Sequence, residues 1–88
     1  MKSDRTDYEA YVTSMTDDEL VKETETKCWL SAYAANNPRS DYHWKTDVLY
    51  AEAKRRNKPW LYNRGWNAAW VSAGYELSDH DIEAARAK

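Results

Sequence analysis

Three places in the sequence bring together side chains of the kinds that enzymes use. Asp79-His80-Asp81 sets an imidazole between two carboxylates, the residue types of a metal site or of a general base with an orienting acid. Ser40, Asp41 and His43 supply the types of a hydrolase triad. Cys28 is a lone thiol between Lys27 and Trp29. None has the spacing its chemistry needs. Successive residues on a helix point about 100° apart, so Asp79, His80 and Asp81 do not converge on one ion. A triad is assembled in space, and local order supplies none of that geometry; Ser40-Asp41 reads better as a helix N-terminus. Cys28 has no base close in sequence and fits a small buried apolar residue. Gly65 and Gly74, the only two glycines, cannot form a glycine-rich phosphate loop. A single cysteine excludes an internal disulfide and any cysteine-based metal cluster within one chain. The expectation is no catalysis, no metal and no cofactor.

A different chemistry is suggested by KRRNKPWLYNRGW, residues 54–66. Lys54, Arg55, Arg56, Lys58 and Arg64 interleave there with Trp60, Tyr62 and Trp66. Cations neutralise phosphates and aromatic rings stack on bases, so the pattern suits a single nucleic-acid strand. The same residues have a local explanation. Basic side chains complement the negative end of a helix dipole, Pro59 starts the next helix, and the rings then enter the core. Arg and Lys stems can also lie along apolar surface while their charged heads stay wet.

The elements that must position these residues are helical. Tyr8, Tyr11, Val12 and Met15 fall at helical spacing, so residues 1–15 read as a short docking helix or a flexible arm. Thr16 with Glu19 forms a capping-box pattern, predicting a helix over about 17–35. Asn36-Asn37-Pro38 ends it. Ser40 caps a second helix over about 41–57, ended by Asn57 and Lys58-Pro59. A third runs from Pro59 to about 73, with Gly74 at the left-handed position beyond its end. Ser78, followed by Asp79 and Asp81, caps a last short helix through Ala87. No strand-like alternation, repeat or low-complexity tract interrupts this reading. The fold class is all-α, one small domain over residues 1–88 built as a bundle of three to four helices.

Residues 68–86 have the small residues, glycine and capped helix of a helix-turn-helix element. The would-be recognition helix, however, carries Asp79, Asp81 and Glu83 against Arg86 alone, and those acids would face phosphate oxygens.

The apolar inventory is unusual. Leu, Ile and Val number 10 and Phe is absent, whereas Trp and Tyr number 12. So few aliphatics would ordinarily indicate disorder, but net charge is only −2 and each ring can bury about 150–250 Å². The core must be built from Trp, Tyr and Ala. On the second helix Tyr42, Leu49 and Ala53 share one face while Trp44, Val48 and Ala51 lie nearly opposite. On the third, Tyr62, Trp66, Ala69, Trp70 and Ala73 form a wide stripe, with Trp60, Leu61, Ala68 and Val71 on the other side. A bundle this small can enclose at most one helix that is apolar all round. One such face is therefore expected to meet a partner or another copy.

Charge is uneven: eight acids against four bases in residues 1–27, seven bases against three acids in residues 38–66, and four acids against two bases in residues 67–88. The pI of about 5.6 falls short of a dedicated nucleic-acid binder. No apolar run could span a membrane, and the acidic N-terminus lacks the apolar run of a secretion signal, so a cytoplasmic location is expected.

Together these features suggest a small non-catalytic interaction module, of the adaptor or inhibitor type that phages and mobile elements also carry. Its partner would be a protein with an acidic surface, gripped through Trp44, Lys54, Arg55, Arg56, Lys58, Trp60, Tyr62 and Arg64. The alternative is a nucleic-acid binder using the same patch for single-stranded or structured RNA or DNA. Homo-oligomerisation through the surplus apolar faces is a third expectation.

Overall fold

A computed structural model describes residues 4–33 and 42–87. It contains five helices: α1 (Asp4–Thr13), α2 (Asp17–Tyr33), α3 (Tyr42–Arg55), α4 (Trp60–Ser72) and α5 (Asp79–Ala84). The described residues include no strand, in agreement with the all-α expectation.

The helix ends follow from local chemistry. At the start of α2 the Glu19 backbone N–H donates to Thr16 Oγ1 at 3.2 Å, and the Thr16 N–H donates to Glu19 Oε1 at 2.9 Å. Two donors that a helix start leaves without partners are thereby satisfied. Ser78 and Asp81 make the same reciprocal pair at α5. α3 closes with Asn57 at φ 60, the Lys58 N–H donating to Ala53 O and the Asn57 N–H to Lys54 O. Gly74, at φ 93, closes α4 in the same way, with Tyr75 N–H donating to Trp70 O and Gly74 N–H to Val71 O. Both are Schellman ends, which need a left-handed residue just past the helix. Asn36, Asn37, Pro38, Ser40 and Asp41, expected to end α2 and cap α3, lie outside the described residues.

α2 is the central element. It packs against α3 and, most extensively, α4, while α1 lies on α3 and α5 on α4. Thr24 meets Gly65, and Cys28 shares a groove with Ala69 further along both helices, so α2 and α4 run parallel. Their approach is very close. A Cβ added at Gly65 would stand 2.5 Å from Thr24 Cβ and 2.8 Å from the Val21 carbonyl oxygen. Thr24 is itself buried and ties its hydroxyl to Leu20 O at 2.7 Å.

The core consists of Val12, Leu20, Val48, Leu49, Ala53 and Leu61, ringed by partly buried Tyr8, Met15, Val21, Trp44, Trp60 and Tyr62. Its aliphatic members come from α1 to α4, so α1 is part of it. The molecule is flat, 44 × 32 × 16 Å. Helix axes pack about 8–10 Å apart and Cα atoms lie about 2.3 Å from each axis. A thickness of 16 Å therefore admits two layers of helices, and every helix keeps an outward side.

Gly65→Ala tests the α2–α4 contact. At an ordinary helix site this change gains about 1 kcal/mol. Here the new methyl meets a backbone oxygen, and the expected result is a loss of about 2 kcal/mol in urea unfolding.

Candidate interaction surface

The α3–α4 turn carries the basic cluster that the sequence singles out, and the structure ties most of it to the protein itself. Arg56 Nε donates to Glu52 Oε2 at 2.7 Å and Nη1 to Asp17 Oδ1 at 2.9 Å. Its Nη2 donates to the Met15 and Val12 carbonyls at 2.8 and 3.2 Å. The side chain is only 13% exposed, so Arg56 clamps the α1–α2 turn to α3 and offers nothing to an outside ligand. Arg55 holds Glu52 in a bidentate grip, 2.9 and 2.6 Å, with its outer surface open. Lys58 Nζ meets Asp17 Oδ2 at 2.6 Å. Lys54 Nζ stands 5.4 Å from the Tyr50 ring centroid, a cation–π distance. Arg64 Nε donates to the Ala85 carbonyl at 2.9 Å, fastening α5, together with Asn67, whose amide donates to Asp81 O. Lys54, Arg55, Lys58 and Arg64 all keep solvent-accessible surface.

The aromatic members face inward. Trp44, Trp60 and Tyr62 pack against the core. Trp44 lies edge-on to Tyr8 at 5.7 Å, with Lys45 Nζ over both rings. Tyr62 meets Tyr50 edge-on at 5.2 Å and accepts from the Cys28 thiol at 3.7 Å. The expected site is thus split: its rings help to build the bundle, Arg56 is internal, and four cations remain at the surface.

Two of the residues with enzymatic potential, Cys28 and Asp81, have local structural surroundings of their own. Burial pushes the Cys28 pKa up, which keeps the thiol protonated at neutral pH. Asp81 is the capping acid of α5, and hydrogen bonds from Ser78 hold its pKa below the usual range. Ser40, Asp41 and the side chain of His43 lie outside the described residues. Among the described residues no three His, Cys, Asp or Glu side chains are placed to hold a metal ion.

A second surface lies at the C-terminal ends of α2 and α4. Trp66 and Trp70, one turn apart, stack at 5.0 Å and 15°. The Schellman end at Gly74 folds the chain back, and Tyr75 stacks on Trp70 at 4.2 Å and 20°. Contact between the residue two beyond the cap and the helix's last turn commonly accompanies this motif. Facing the stack across a groove of about 410 Å³ is Trp29 of α2, and Cys28, Ala69 and Ala73 also line it. Trp29 is 41% exposed, Tyr75 and Val71 each 55%. The sequence separates Trp66 and Trp70 from Trp29 by more than one helix; the small residues that let α2 and α4 touch bring them together. The available signal was Gly65 midway along α4, with a tryptophan one residue and five residues later.

The chain matches no protein-family model, no curated protein and no solved structure. Fold and site define it as a small all-α protein with an aromatic groove. No helix among the described residues is long and apolar enough to cross a membrane.

The Arg56 clamp predicts acid sensitivity. Hydrogen bonds from Arg55, and a further one from Arg56, pull the Glu52 pKa down to about 2 against the cost of burial; Asp17 is lowered by Lys58 and Arg56. Carboxylates with depressed folded-state pKa values stabilise the fold above their unfolded values. Thermal midpoints should therefore hold steady from neutrality to about pH 5 and fall as pH drops toward 2. Glu52→Gln leaves Arg56 without its main counter-charge and should cost about 3 kcal/mol in chemical unfolding at neutral pH.

Proposed function

We propose that this chain is a non-catalytic interaction module that binds a protein through the aromatic groove between α2 and α4. The observation that carries this reading is the placement of the tryptophans. None of the five is fully buried, and Trp29, Trp66 and Trp70 line one groove with Tyr75. Trp and Tyr supply a large share of the energy at protein contacts, chiefly in pockets that exclude water. The groove has no cation in its lining, which disfavours a nucleic-acid strand, since that needs phosphate neutralisation beside stacking rings. The basic side chains Lys54, Arg55, Lys58 and Arg64 retain a part in this proposal: they steer an acidic partner during approach.

The test is affinity capture with the whole chain as bait, with and without nuclease. A partner protein should survive nuclease, and Trp29→Asp should speed its dissociation at least tenfold. Arg64→Glu should mainly slow association. Capture that vanishes with nuclease, and falls steeply with salt, would replace this reading with the nucleic-acid one. Capture indifferent to Trp29→Asp would show that the contact lies elsewhere.

A further inference from the structure

We propose that α1 is a strap: it opens from α3 about Ser14 while α2, α3 and α4 stay folded, and its opening uncovers Trp44 and Val48. No residue of α1 lines the aromatic groove, so the proposal stands apart from the reading of that groove.

The docking of α1 is shallow. Of its 10 residues, eight are exposed, Tyr8 is half-buried and Val12 alone is buried. Grooves flank it on both sides. One, of about 180 Å³, is lined by Glu9 and Thr13 of α1 with Val48, Ala51 and Arg55 of α3. The other, of about 270 Å³, runs between Tyr11 and Ser14 and the α2 residues Glu19, Lys22 and Thr26. The other three long helices each bury several side chains, and the Thr24–Gly65 contact between α2 and α4 uses no atom of α1. A segment with few buried contacts opens at a lower free energy than the whole fold.

The polar tethers are arranged to permit this. Arg56 Nη2 donates to Val12 O at 3.2 Å and Thr13 O at 3.5 Å, but most closely to Met15 O at 2.8 Å, beyond the end of α1. Met15 also packs against the core, and Arg56 and Lys58 hold Asp17. With α1 open, Arg56 keeps Glu52, Asp17 and Met15. Opening therefore strands no buried charge, which is what makes breaking a buried ion pair costly. It gives up chiefly the burial of Val12, the Tyr8 hydroxyl bond to Glu23 Oε2 at 2.7 Å and the edge contact of Tyr8 with Trp44. Glu23 retains Lys27 at 3.1 Å. Exposed Ser14, between the last turn of α1 and the fixed Met15, is where the chain swings. A helix of 10 residues is too short to hold alone in water, so α1 unwinds once it leaves α3.

Amide hydrogen exchange of the full chain, followed residue by residue by NMR at increasing urea concentration, tests the proposal. The hydrogen-bonded amides of α1 should share one opening equilibrium and exchange at least about tenfold faster than the slowest amides of α2 and α4. They should also respond weakly to urea, because the opening exposes little surface. Gly65→Ala strains the α2–α4 contact, which the open state retains. It should speed the slowest α2 and α4 amides about thirtyfold, the equivalent of the stability loss expected of that variant, and leave α1 exchange unchanged. The proposal is overturned if α1 amides share the urea slope of the slowest α2 and α4 amides, or accelerate in step with them in Gly65→Ala. Protection that climbs residue by residue from Asp4 toward Val12 overturns it as well, since that is a fraying end. Should Gly65→Ala fail to fold, the wild-type urea slopes decide alone.

Discussion

The Arg56 guanidinium joins parts of the chain far apart in sequence. It reaches Glu52 on its own helix, Asp17 at the start of α2, and the carbonyls of Val12 and Met15 where α1 ends. Removing a guanidinium from water is costly, and an ion pair that is mostly buried recovers the cost only when its donors are all well met. Here Nε, Nη1 and Nη2 each find an oxygen. The arrangement positions α1 so that Val12 can enter the core beside Leu49 and Ala53. It also withdraws Arg56, the most central cation of the basic cluster, from any outside ligand, and leaves Lys54, Arg55, Lys58 and Arg64 at the surface.

The α2–α4 contact settles where the rings can go. Gly65 against Thr24 leaves no room between the helices for any side chain larger than a hydrogen atom. Cys28 and Ala69, further along, are also small and buried. Trp66 and Trp70 must therefore leave the contact sideways, and they line one groove with Trp29 where the two helices end. Gly74 completes the groove by returning Tyr75 onto Trp70. A parallel helix pair held close by small residues thus displays its aromatic rings along the edge of the seam.

The local features were legible in the sequence. The Thr16–Glu19 box, the cap at Ser78 and the stops at Asn57 and Gly74 depend on residues within five positions of each other, and their residue types report them directly. The role of Arg56 was not legible, because its partners at Asp17, Val12 and Met15 lie about forty residues away. Glu52, four residues before Arg56 and three before Arg55, was the one local hint that those cations had a counter-ion. The stripe Tyr62, Trp66, Ala69, Trp70 and Ala73 was visible as a pattern. Periodicity alone does not say which part of a stripe a neighbour covers. In the structure Ala69 is buried and Tyr62 meets the core, whereas Trp66 and Trp70 remain half-exposed.

Composition explains why an exposed aromatic seam follows from this architecture. With 10 aliphatic branched residues against 12 Trp and Tyr, the small interior is filled by Val, Leu and Ala, and the rings are left for the periphery. Indole and phenol tolerate that position because each carries a polar group that can stay hydrated while the ring body packs. A bundle 16 Å thick has no third layer to cover the remaining ring surface. Covering Trp29, Val71 and Tyr75 requires atoms from outside the described bundle, and burying them excludes water from the rings without disturbing the contacts that hold the fold. Self-association and binding of a different protein draw on that same physical surplus.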